Sequence, residues 1–434
     1  MKIESRFDHA VVQAGQPCVV HVLLTLSAPA SASDNPRPGL NIAAVIDRSG
    51  SMSGEPLDYA KQSVSLLLDQ LGPEDRFSLV VYGSDVLPLV EGLRTSDKTH
   101  IKSIVENIEC DGMTNMSGGW LKGIELVSRD SDSDDVRAVL LLTDGHANEG
   151  ITDHDKLMAL GKDVNDQQSI RTTCLGLGQG FDEDLLDGIS SAAGGRFYYI
   201  ESPEHAPEVF KEELGGLLEV VAQNVEIDLT MADGISGVAQ LTGYPWKADG
   251  PNCKLIVGDF SSDQVKHVLF AVELPAITDL SDTLIASMRM SYAAVGKESV
   301  QIKIAKQDLV IGVGDNEDSS PPDPEVLMHI GIQEAAEARK QAVVNIDDGD
   351  VDSATRVLEA KRDKLRTMAP SAANPDALIR EADELDRRAT ELRESHDIME
   401  NRKFMVSESA SLSKADYMNT QSARRRRGKG PGSS

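Results

Sequence analysis

The chain has 434 residues, of which 40% are hydrophobic, 4% aromatic and 26% charged, and its formal net charge is -28. This length predicts two or three domains, and the hydrophobic fraction is sufficient for their cores. So acidic a surface repels nucleic acid, anionic membranes and acidic substrates. Adaptation to a salt-rich environment would explain the charge equally well.

Features of the termini and of the cysteines indicate a soluble cytoplasmic protein. The first residues, MKIESRFDHA, lack the apolar segment of a signal peptide, and no stretch approaches the roughly 18 apolar residues of a membrane-spanning helix. The cysteines are far apart and form no CxxC pair: Cys18, Cys110, Cys174 and Cys253. Cys18, Cys174 and Cys253 lie in or beside apolar runs, and we expect them to be reduced, mostly buried thiols.

Residues 1–30 alternate between apolar and polar side chains, which predicts two strands separated by a turn at 15–17. A linker rich in Ser, Ala, Pro and Asn follows over about 27–39. Strands and helices then alternate from about 40 to 220. The predicted strands are short Val/Ile/Leu runs, as in sheets buried on both faces: 40–46, 76–82, 139–143, 170–177 and 196–200.

The helix after the first of these strands has one apolar face and ends at Gly72-Pro73. Its apolar residues are Leu57, Ala60, Val64, Leu67, Leu68 and Leu71. The regular alternation predicts a doubly wound, Rossmann-like α/β domain, whose ligands bind at the carboxyl ends of the strands.

From about 224 the pattern changes to short strands with turns, predicted at 225–231, 253–257, 265–274, 284–292 and 300–311. These strands favour an antiparallel β-sandwich, to which the N-terminal strands would contribute. The α/β domain would then be inserted in the sandwich or followed by it.

A linker at 315–324 precedes predicted helices at 325–345, 351–368 and 375–405. In the last helix an apolar row favours a bundle that closes on itself over a surface for a partner helix. The row comprises Leu378, Ala382, Leu385, Ala389, Leu392, His396 and Met399.

These patterns divide the chain into five parts. They are N-terminal strands at 1–38 that belong to the sandwich, the α/β domain at 39–222, the sandwich at 223–315, a helical bundle at 323–407, and a disordered basic tail at 408–434.

Polar residues at three distant positions point to one site. Asp47 follows the first buried strand of the α/β domain, and Ser49 and Ser51 lie on the loop after it. Asp144 follows the strand at 139–143, and Thr114 lies on a glycine-flanked loop that opens a helix near Trp120. Because the carboxyl ends of parallel strands share one edge of a sheet, these residues should converge.

All the candidate ligands are oxygen donors. This donor set suits Mg²⁺, and less selectively Mn²⁺ or Ca²⁺, and argues against zinc. Taken alone, Asp-x-Ser-x-Ser also occurs by chance near the start of helices, and Ser53 could cap the helix that begins near Glu55.

The set of Asp47-x-Ser49-x-Ser51, Thr114 and Asp144-Gly145 resembles the metal-ion-dependent adhesion site of von Willebrand factor A domains. The resemblance covers about 40–220 and includes Gly176-Leu177-Gly178 and the run 194–199. It implies that Ser49 and Ser51 bind the metal directly. Thr114 would bind directly or through water, and Asp47 and Asp144 largely through water.

The resemblance also implies a function. A glutamate or aspartate of an unknown partner protein would complete the octahedron, so the chain would be a metal-dependent interaction module and not an enzyme. The surrounding loops place five residues at the rim, where they would contact the partner: Gly50, Met113, Asn115, Gly145 and His146. The domain order resembles bacterial proteins related to inter-alpha-trypsin inhibitor heavy chains and calcium-activated chloride channel-like proteins.

In this family a shift of the threonine-bearing loop can reach the last helix of the domain, here about 204–220. Such a shift would change the angle between the α/β domain and the sandwich.

Two other functions stay open. A Mg²⁺-dependent hydrolase could use the same carboxylates, although the haloacid-dehalogenase type needs a second Asp where Ser49 stands. A nucleic-acid-associated scaffold could be anchored by the basic tail, through Arg424, Arg425, Arg426 and Arg427.

One further motif, Asp348 to Ser353 with Glu359, imitates a calcium-binding EF-hand loop. Ser353 stands where such a loop needs glycine, so we expect a capped turn between two helices.

Overall fold

The computed structural model describes residues 1–30, 39–129, 135–144, 148–177, 181–200, 209, 213, 220–235, 237–294, 301–315, 322–394 and 398–413. Several predictions therefore fall outside the described residues. They concern Gly145, His146, Gly178, most of the linkers and of the helix at 204–220, and the tail from 414 onward.

Residues 40 to 200 form a six-stranded sheet in the order β6-β5-β4-β7-β8-β9. Its strands are β4 (Leu40–Asp47), β5 (Arg76–Tyr82), β6 (Val86–Arg94), β7 (Val136–Thr143), β8 (Ile170–Leu177) and β9 (Gly194–Ile200). All neighbours are parallel except β5 and β6. The predicted doubly wound α/β fold is confirmed. β6, an edge strand containing Pro88 and Gly92, was not predicted.

Helices cover both faces of this sheet. They are α1 (Glu55–Gln70), α2 (Lys98–Glu106), α3 (Met116–Arg129), α4 (His154–Gln168) and α5 (Glu183–Ala192). Alternate residues of β4 point to opposite faces: Ile42 packs with α1 and α2, whereas Val45 packs with α3 and its fully buried Trp120. Because both faces are covered, all eight residues of β4 are buried.

Two further sheets share one apolar core, and we call them the two-sheet unit. Their orders are β1-β3-β14-β11 and β12-β13-β10-β15-β16-β2. The strands are β1 (Lys2–Phe7), β2 (Val11–Gln13), β3 (Cys18–Ser27), β10 (Val220–Met231), β11 (Gly237–Gln240), β12 (Trp246–Asp249), β13 (Asn252–Ser261), β14 (Val265–Leu274), β15 (Thr283–Ala294) and β16 (Gln301–Gly314).

The N-terminal residues form three strands and not the predicted two, and they join both sheets of the two-sheet unit. β3 pairs with β14, while β2 pairs with β16. The α/β domain is therefore inserted between β3 and β10. The β2–β16 pair is parallel, so the prediction of a purely antiparallel arrangement is wrong at this pair.

Four helices follow: α6 (Pro324–Asp347), α7 (Val351–Met368), α8 (Pro375–Glu394) and α9 (Ile398–Ser413). The single helix predicted at 375–405 is wrong, because α8 and α9 are separate helices. Met399, assigned to its apolar row, is 57% exposed, whereas Leu378, Leu385 and Leu392 are buried in the bundle. α9 also extends past 408, where the disordered tail was predicted to begin.

The sequence that imitates an EF-hand forms the predicted capped turn. Gly349 adopts φ 79°, and the Asp350 side chain accepts hydrogen bonds from the backbone N–H and the hydroxyl of Ser353. Asp350 thus caps α7. No helix among the described residues is both long and apolar enough to cross a membrane.

Candidate metal site

Asp47 is the innermost residue of the candidate site. It ends β4 and is fully buried. One carboxylate oxygen accepts the backbone N–H of Ser49 at 2.8 Å, and the other accepts the Thr143 hydroxyl at 2.7 Å. The side chain is thereby fixed in position at the carboxyl edge of the sheet.

Hydroxyls connect the first loop to the second acidic residue. The Ser49 Oγ lies 3.1 Å from the Ser51 Oγ, and the Ser51 hydroxyl donates to Asp144 Oδ1 at 2.9 Å. Ser49 and Asp144 are nearly buried, whereas Ser51 is exposed. The group therefore opens to solvent on the side of Ser51.

The loop that carries Thr114 is tied to the same place by backbone hydrogen bonds. Gly50 N–H donates to Gly112 O at 3.2 Å, and Asp111 N–H donates to Arg48 O at 2.7 Å. Gly83, which follows β5, lets the backbone of the Thr114 loop approach closely, because a Cβ at Gly83 would lie 2.0 Å from Asp111 O. Thr114 itself is only 4% exposed.

Asn148, which follows β7 and Asp144 in the chain, fixes the backbone of Thr114 by two hydrogen bonds. Its side-chain oxygen accepts the Thr114 N–H at 2.9 Å, and its own N–H donates to Thr114 O at 3.3 Å. Neither Asn148 nor Thr143 was singled out from the sequence. The only available signal was that both lie within four residues of Asp144.

The helix-cap interpretation of the serine motif does not hold. α1 has Gly54 at its N-cap, with no side-chain hydrogen bond, so Ser53 does not cap it. Ser49 precedes a short 3-10 helix, also without a side-chain cap. The hydroxyls of Ser49 and Ser51 instead face each other and Asp144.

Burial makes the two carboxylates costly to ionise. It raises the pKa of Asp47 above its ordinary value, against hydrogen bonds from Ser49 and Thr143. Burial also raises the pKa of Asp144, and the negative charge of Asp47 adds to that shift. No basic side chain among the described residues forms an ion pair with either carboxylate. A cation placed between them would supply the missing counter-charge.

The described rim residues differ in their surroundings. Gly50 is exposed, and Met113 is 52% exposed beside Thr114. The Asn115 Oδ1 accepts the N–H of Gly118 at 3.0 Å, so this oxygen caps the first turn of α3. An ion pair between Arg48 and Asp111, 3.2 Å apart, borders the loop.

The family model of the von Willebrand factor type A domain matches residues 41–212. This chain contains a von Willebrand factor type A domain. The matched region spans the sheet, its helices and the five candidate ligands. The predicted von Willebrand factor type A domain is thus confirmed over these residues.

Relatives share this domain at modest identity. An uncharacterised protein of Synechocystis sp. is 28% identical over 261 residues, which cover 58% of this chain and 61% of that protein. Inter-alpha-trypsin inhibitor heavy chain H1 of Bos taurus is 30% identical over 217 residues, covering 48% of this chain and 23% of the relative. The chain therefore spans less than two thirds of the length of either relative.

Two solved structures resemble the whole chain. The von Willebrand factor type A protein from Catenulispora acidiphila superimposes with a TM-score of 0.71 at 18% identity, covering 95% of this chain and 96% of that one. The ArnB paralog VWA2 from Sulfolobus acidocaldarius gives 0.60 at 19% identity, covering 96% and 98%. At these identities the likeness concerns the fold: the von Willebrand factor type A domain and both flanking units recur together.

Proposed function

We propose that the chain captures partner proteins through a divalent cation held by Asp47, Ser49, Ser51, Thr114 and Asp144. The main support is the pair of buried carboxylates, Asp47 and Asp144, which are linked through Ser49 and Ser51 and have no basic partner among the described residues. Oxygen donors alone suit Mg²⁺, with Mn²⁺ or Ca²⁺ as alternatives.

The residues of the candidate site would have separate roles in holding the cation. Thr143 and the Ser49 backbone N–H orient the Asp47 carboxylate, while the two serine hydroxyls lie between it and solvent. When bound, the cation would offer one position to a carboxylate from outside. Because Ser51 is the exposed member of the set, the partner's Asp or Glu would approach from its side.

We further propose that this capture is a scaffolding function in a reducing compartment such as the cytoplasm. The four cysteines form no disulfide, and burial raises the pKa of Cys174. Buried, protonated thiols of this kind are inert and suit a protein that needs no disulfide. The role is not enzymatic.

Calorimetric titration with MgCl₂ tests the metal site. We expect one site in the wild type and at least a tenfold loss of affinity in Asp144→Asn, because a neutral amide no longer balances the cation. The matched control is Asp58→Asn, an exposed position on α1, which should bind Mg²⁺ as the wild type does. Equal affinity in Asp144→Asn and the wild type would refute the assignment.

Pulldown from the native lysate tests capture. Proteins retained in Mg²⁺ should be lost with EDTA and with Ser51→Ala. Hydrolysis of simple phosphoesters by the wild type, abolished in Asp144→Asn, would instead favour the hydrolase alternative.

A further inference from the structure

The outer edge of β16 is open over most of its length. In the six-stranded sheet of the two-sheet unit, β16 lies between β15 and β2, but β2 pairs only with residues 312–314. No strand among the described residues pairs with that edge from 302 to 311. β1 lies nearby without pairing with β16, since Gln307 Nε2 donates to Ser5 Oγ at 2.7 Å through the side chains, and the strand partner of β1 is β3. An open edge offers its backbone N–H and C=O groups to another strand.

The hydrogen bonds to β2 show which backbone groups of β16 point toward this edge. Gly312 N–H donates to Ala10 O at 3.2 Å, and Gly314 O accepts the N–H of Ala14 at 2.8 Å. Successive residues of a strand direct these groups to opposite neighbours, and the single register shift between β15 and β16 leaves its extra residue, Ile285, on β15. The even-numbered residues from 302 to 310 therefore present their N–H and C=O groups at the open edge.

The side chains of the same even-numbered residues are exposed on the outer face of the sheet. Ile302 is 78% exposed, Ile304 52% and Val310 43%. Lys306 and Asp308, which lie between them, are exposed as well, and neither forms an ion pair with a described residue. β16 contains no proline, which is a common protection of edge strands. Large apolar side chains on an unprotected edge indicate a surface that another chain covers.

We propose that two copies of this chain associate through the open edge, with their β16 strands antiparallel about a two-fold axis at Gln307. Lys306 of each copy then lies opposite Asp308 of the other. Ile304 likewise lies opposite Val310. Opposite charges and apolar pairs directly across two strands both stabilise the pairing, and the symmetry forms each pair twice.

Neighbouring registers match the side chains less well. Even-numbered residues must face even-numbered ones, because these present the hydrogen-bonding groups at the open edge. An axis at residue 306 places the two Lys306 side chains opposite each other, and an axis at 308 does the same with Asp308; like charges so placed are destabilising. An axis at 305 places Ile304 opposite Lys306 and Ile302 opposite Asp308. The exposed residues of β16 therefore select the axis at Gln307.

The backbone at both ends of the segment is compatible with this pairing. The paired segment spans residues 304–310 and stops before Gly312, whose N–H is bonded to Ala10. Beyond that point the twist between neighbouring strands carries the second copy's strand out of the plane of β2. Each hydrogen-bonded pair of residues exchanges two backbone hydrogen bonds, so the two six-stranded sheets become one continuous sheet. An isologous contact of this kind is complete with two copies.

The test is sedimentation velocity of the full chain in EDTA, so that no metal can bridge two copies. The wild type should sediment as a monomer when dilute and as a dimer when concentrated. Lys306→Asp and Asp308→Lys each place like charges opposite one another at both symmetric contacts, so each should raise the Kd of the dimer at least tenfold. The double variant Lys306→Asp/Asp308→Lys restores opposite charges and should dimerise as the wild type does.

The two single variants change the net charge of the chain in opposite directions, so a general charge effect cannot weaken the dimer in both. The matched control is Lys247→Asp, the same charge change at an exposed position of β12 on the opposite edge of this sheet, and it should dimerise as the wild type does. A wild type that stays monomeric at every concentration overturns the proposal. Undiminished dimerisation of either single variant, or a double variant that stays monomeric, overturns it as well.

Discussion

Thr143, which is not one of the five proposed ligands, helps to position Asp47 in the candidate site. The Thr143 hydroxyl donates to the Asp47 oxygen that Ser49 leaves unbonded. Such supporting contacts fix the orientation of a coordinating group, and losing them weakens metal sites about tenfold to a hundredfold.

We therefore expect Thr143→Val to lower Mg²⁺ affinity by about tenfold or more, while all five proposed ligands remain. Calorimetry measures the effect. Thr390→Val, on an exposed position of α8, provides the control and should bind as the wild type. Unchanged affinity in Thr143→Val would show that this hydrogen bond does not position Asp47.

A second residue-scale feature is a pair of histidine rings that contact each other where α6 meets the two-sheet unit. The rings of His267 and His329 have centroids 4.1 Å apart, and His267 Nδ1 lies 3.2 Å from the Thr25 hydroxyl. Burial, with the nearby charge of His329 when protonated, lowers the pKa of His267 to about 3, against the opposing influence of Glu325.

The lowered pKa of His267 predicts that the folded protein loses stability in acid. A histidine in the unfolded chain takes up a proton near its ordinary pKa of 6.5, whereas the folded protein leaves His267 neutral down to about pH 3. Stability from this group is thus complete above pH 6.5 and is lost as the pH falls toward 3, at up to about 1.4 kcal/mol per pH unit.

Urea unfolding of the wild type and His267→Gln between pH 7.5 and 4.5 checks the sign. The free energy of unfolding should fall more steeply for the wild type on acidification, because glutamine does not titrate. Parallel profiles for the two proteins would contradict the low pKa.

At the scale of elements, α3 packs closely against the sheet that carries the site at Gly123. A Cβ at Gly123 would lie 2.6 Å from Val45 Cγ2 and 3.3 Å from Val139 Cγ1. Both contacts are with buried, β-branched side chains that cannot move aside. The glycine therefore sets how closely α3, and the Thr114 loop before it, approaches β4.

Gly123→Ala should destabilise the protein by about 1–3 kcal/mol through overpacking, although alanine favours helix by about 1 kcal/mol. Gly188→Ala in α5 is the matched control, because its new Cβ would meet only the flexible end of Met158. That variant should be neutral or slightly stabilised. Thermal unfolding compares the two, and equal stability would exclude the close packing.

At the scale of the whole molecule, α9 connects the bundle to the α/β domain. Arg402 is 9% exposed and pairs with Glu183, Asp184 and Asp347. The next residue, Lys403, lies 4.3 Å from the centre of the Phe181 ring. Phe181 comes shortly after Leu177, the last residue of β8, so the bundle is anchored near the edge of the sheet where the candidate metal site lies.

Arg402→Gln should reduce stability by about 2 kcal/mol, because it leaves the buried Glu183 carboxylate poorly compensated. Hydrogen exchange should also quicken in α9. Arg387→Gln is the control, since its side chain is 46% exposed and its partners lie mainly within the same helix. Its effect should stay within about 0.5 kcal/mol. Unchanged protection of α9 in Arg402→Gln would refute this anchoring role.

Local patterns in the sequence were sufficient for the parallel strands of the α/β domain and for the candidate site. Each buried strand carries its own apolar run, and Asp47 and Asp144 follow such runs directly. In a parallel sheet, the ends of strands necessarily share an edge, so residues almost a hundred positions apart could be placed together. The helical face of α1 was equally visible, because all six of its predicted apolar residues are buried.

The remaining features of the fold depend on contacts between residues far apart in the sequence, and no local pattern encodes such contacts. β6 is half exposed and interrupted by Pro88, so only its pairing with β5 identifies it as a strand. The end of α9, which contains Glu408, was predicted as part of the polar tail, and only the hydrogen bonds of Glu408 to the buried Arg339 and Arg388 show that it belongs to the bundle. Likewise, only the tertiary structure brings Arg171 of the α/β domain within 3.5 Å of Asp259 in the two-sheet unit. Charge and packing between distant segments depend on the tertiary structure alone.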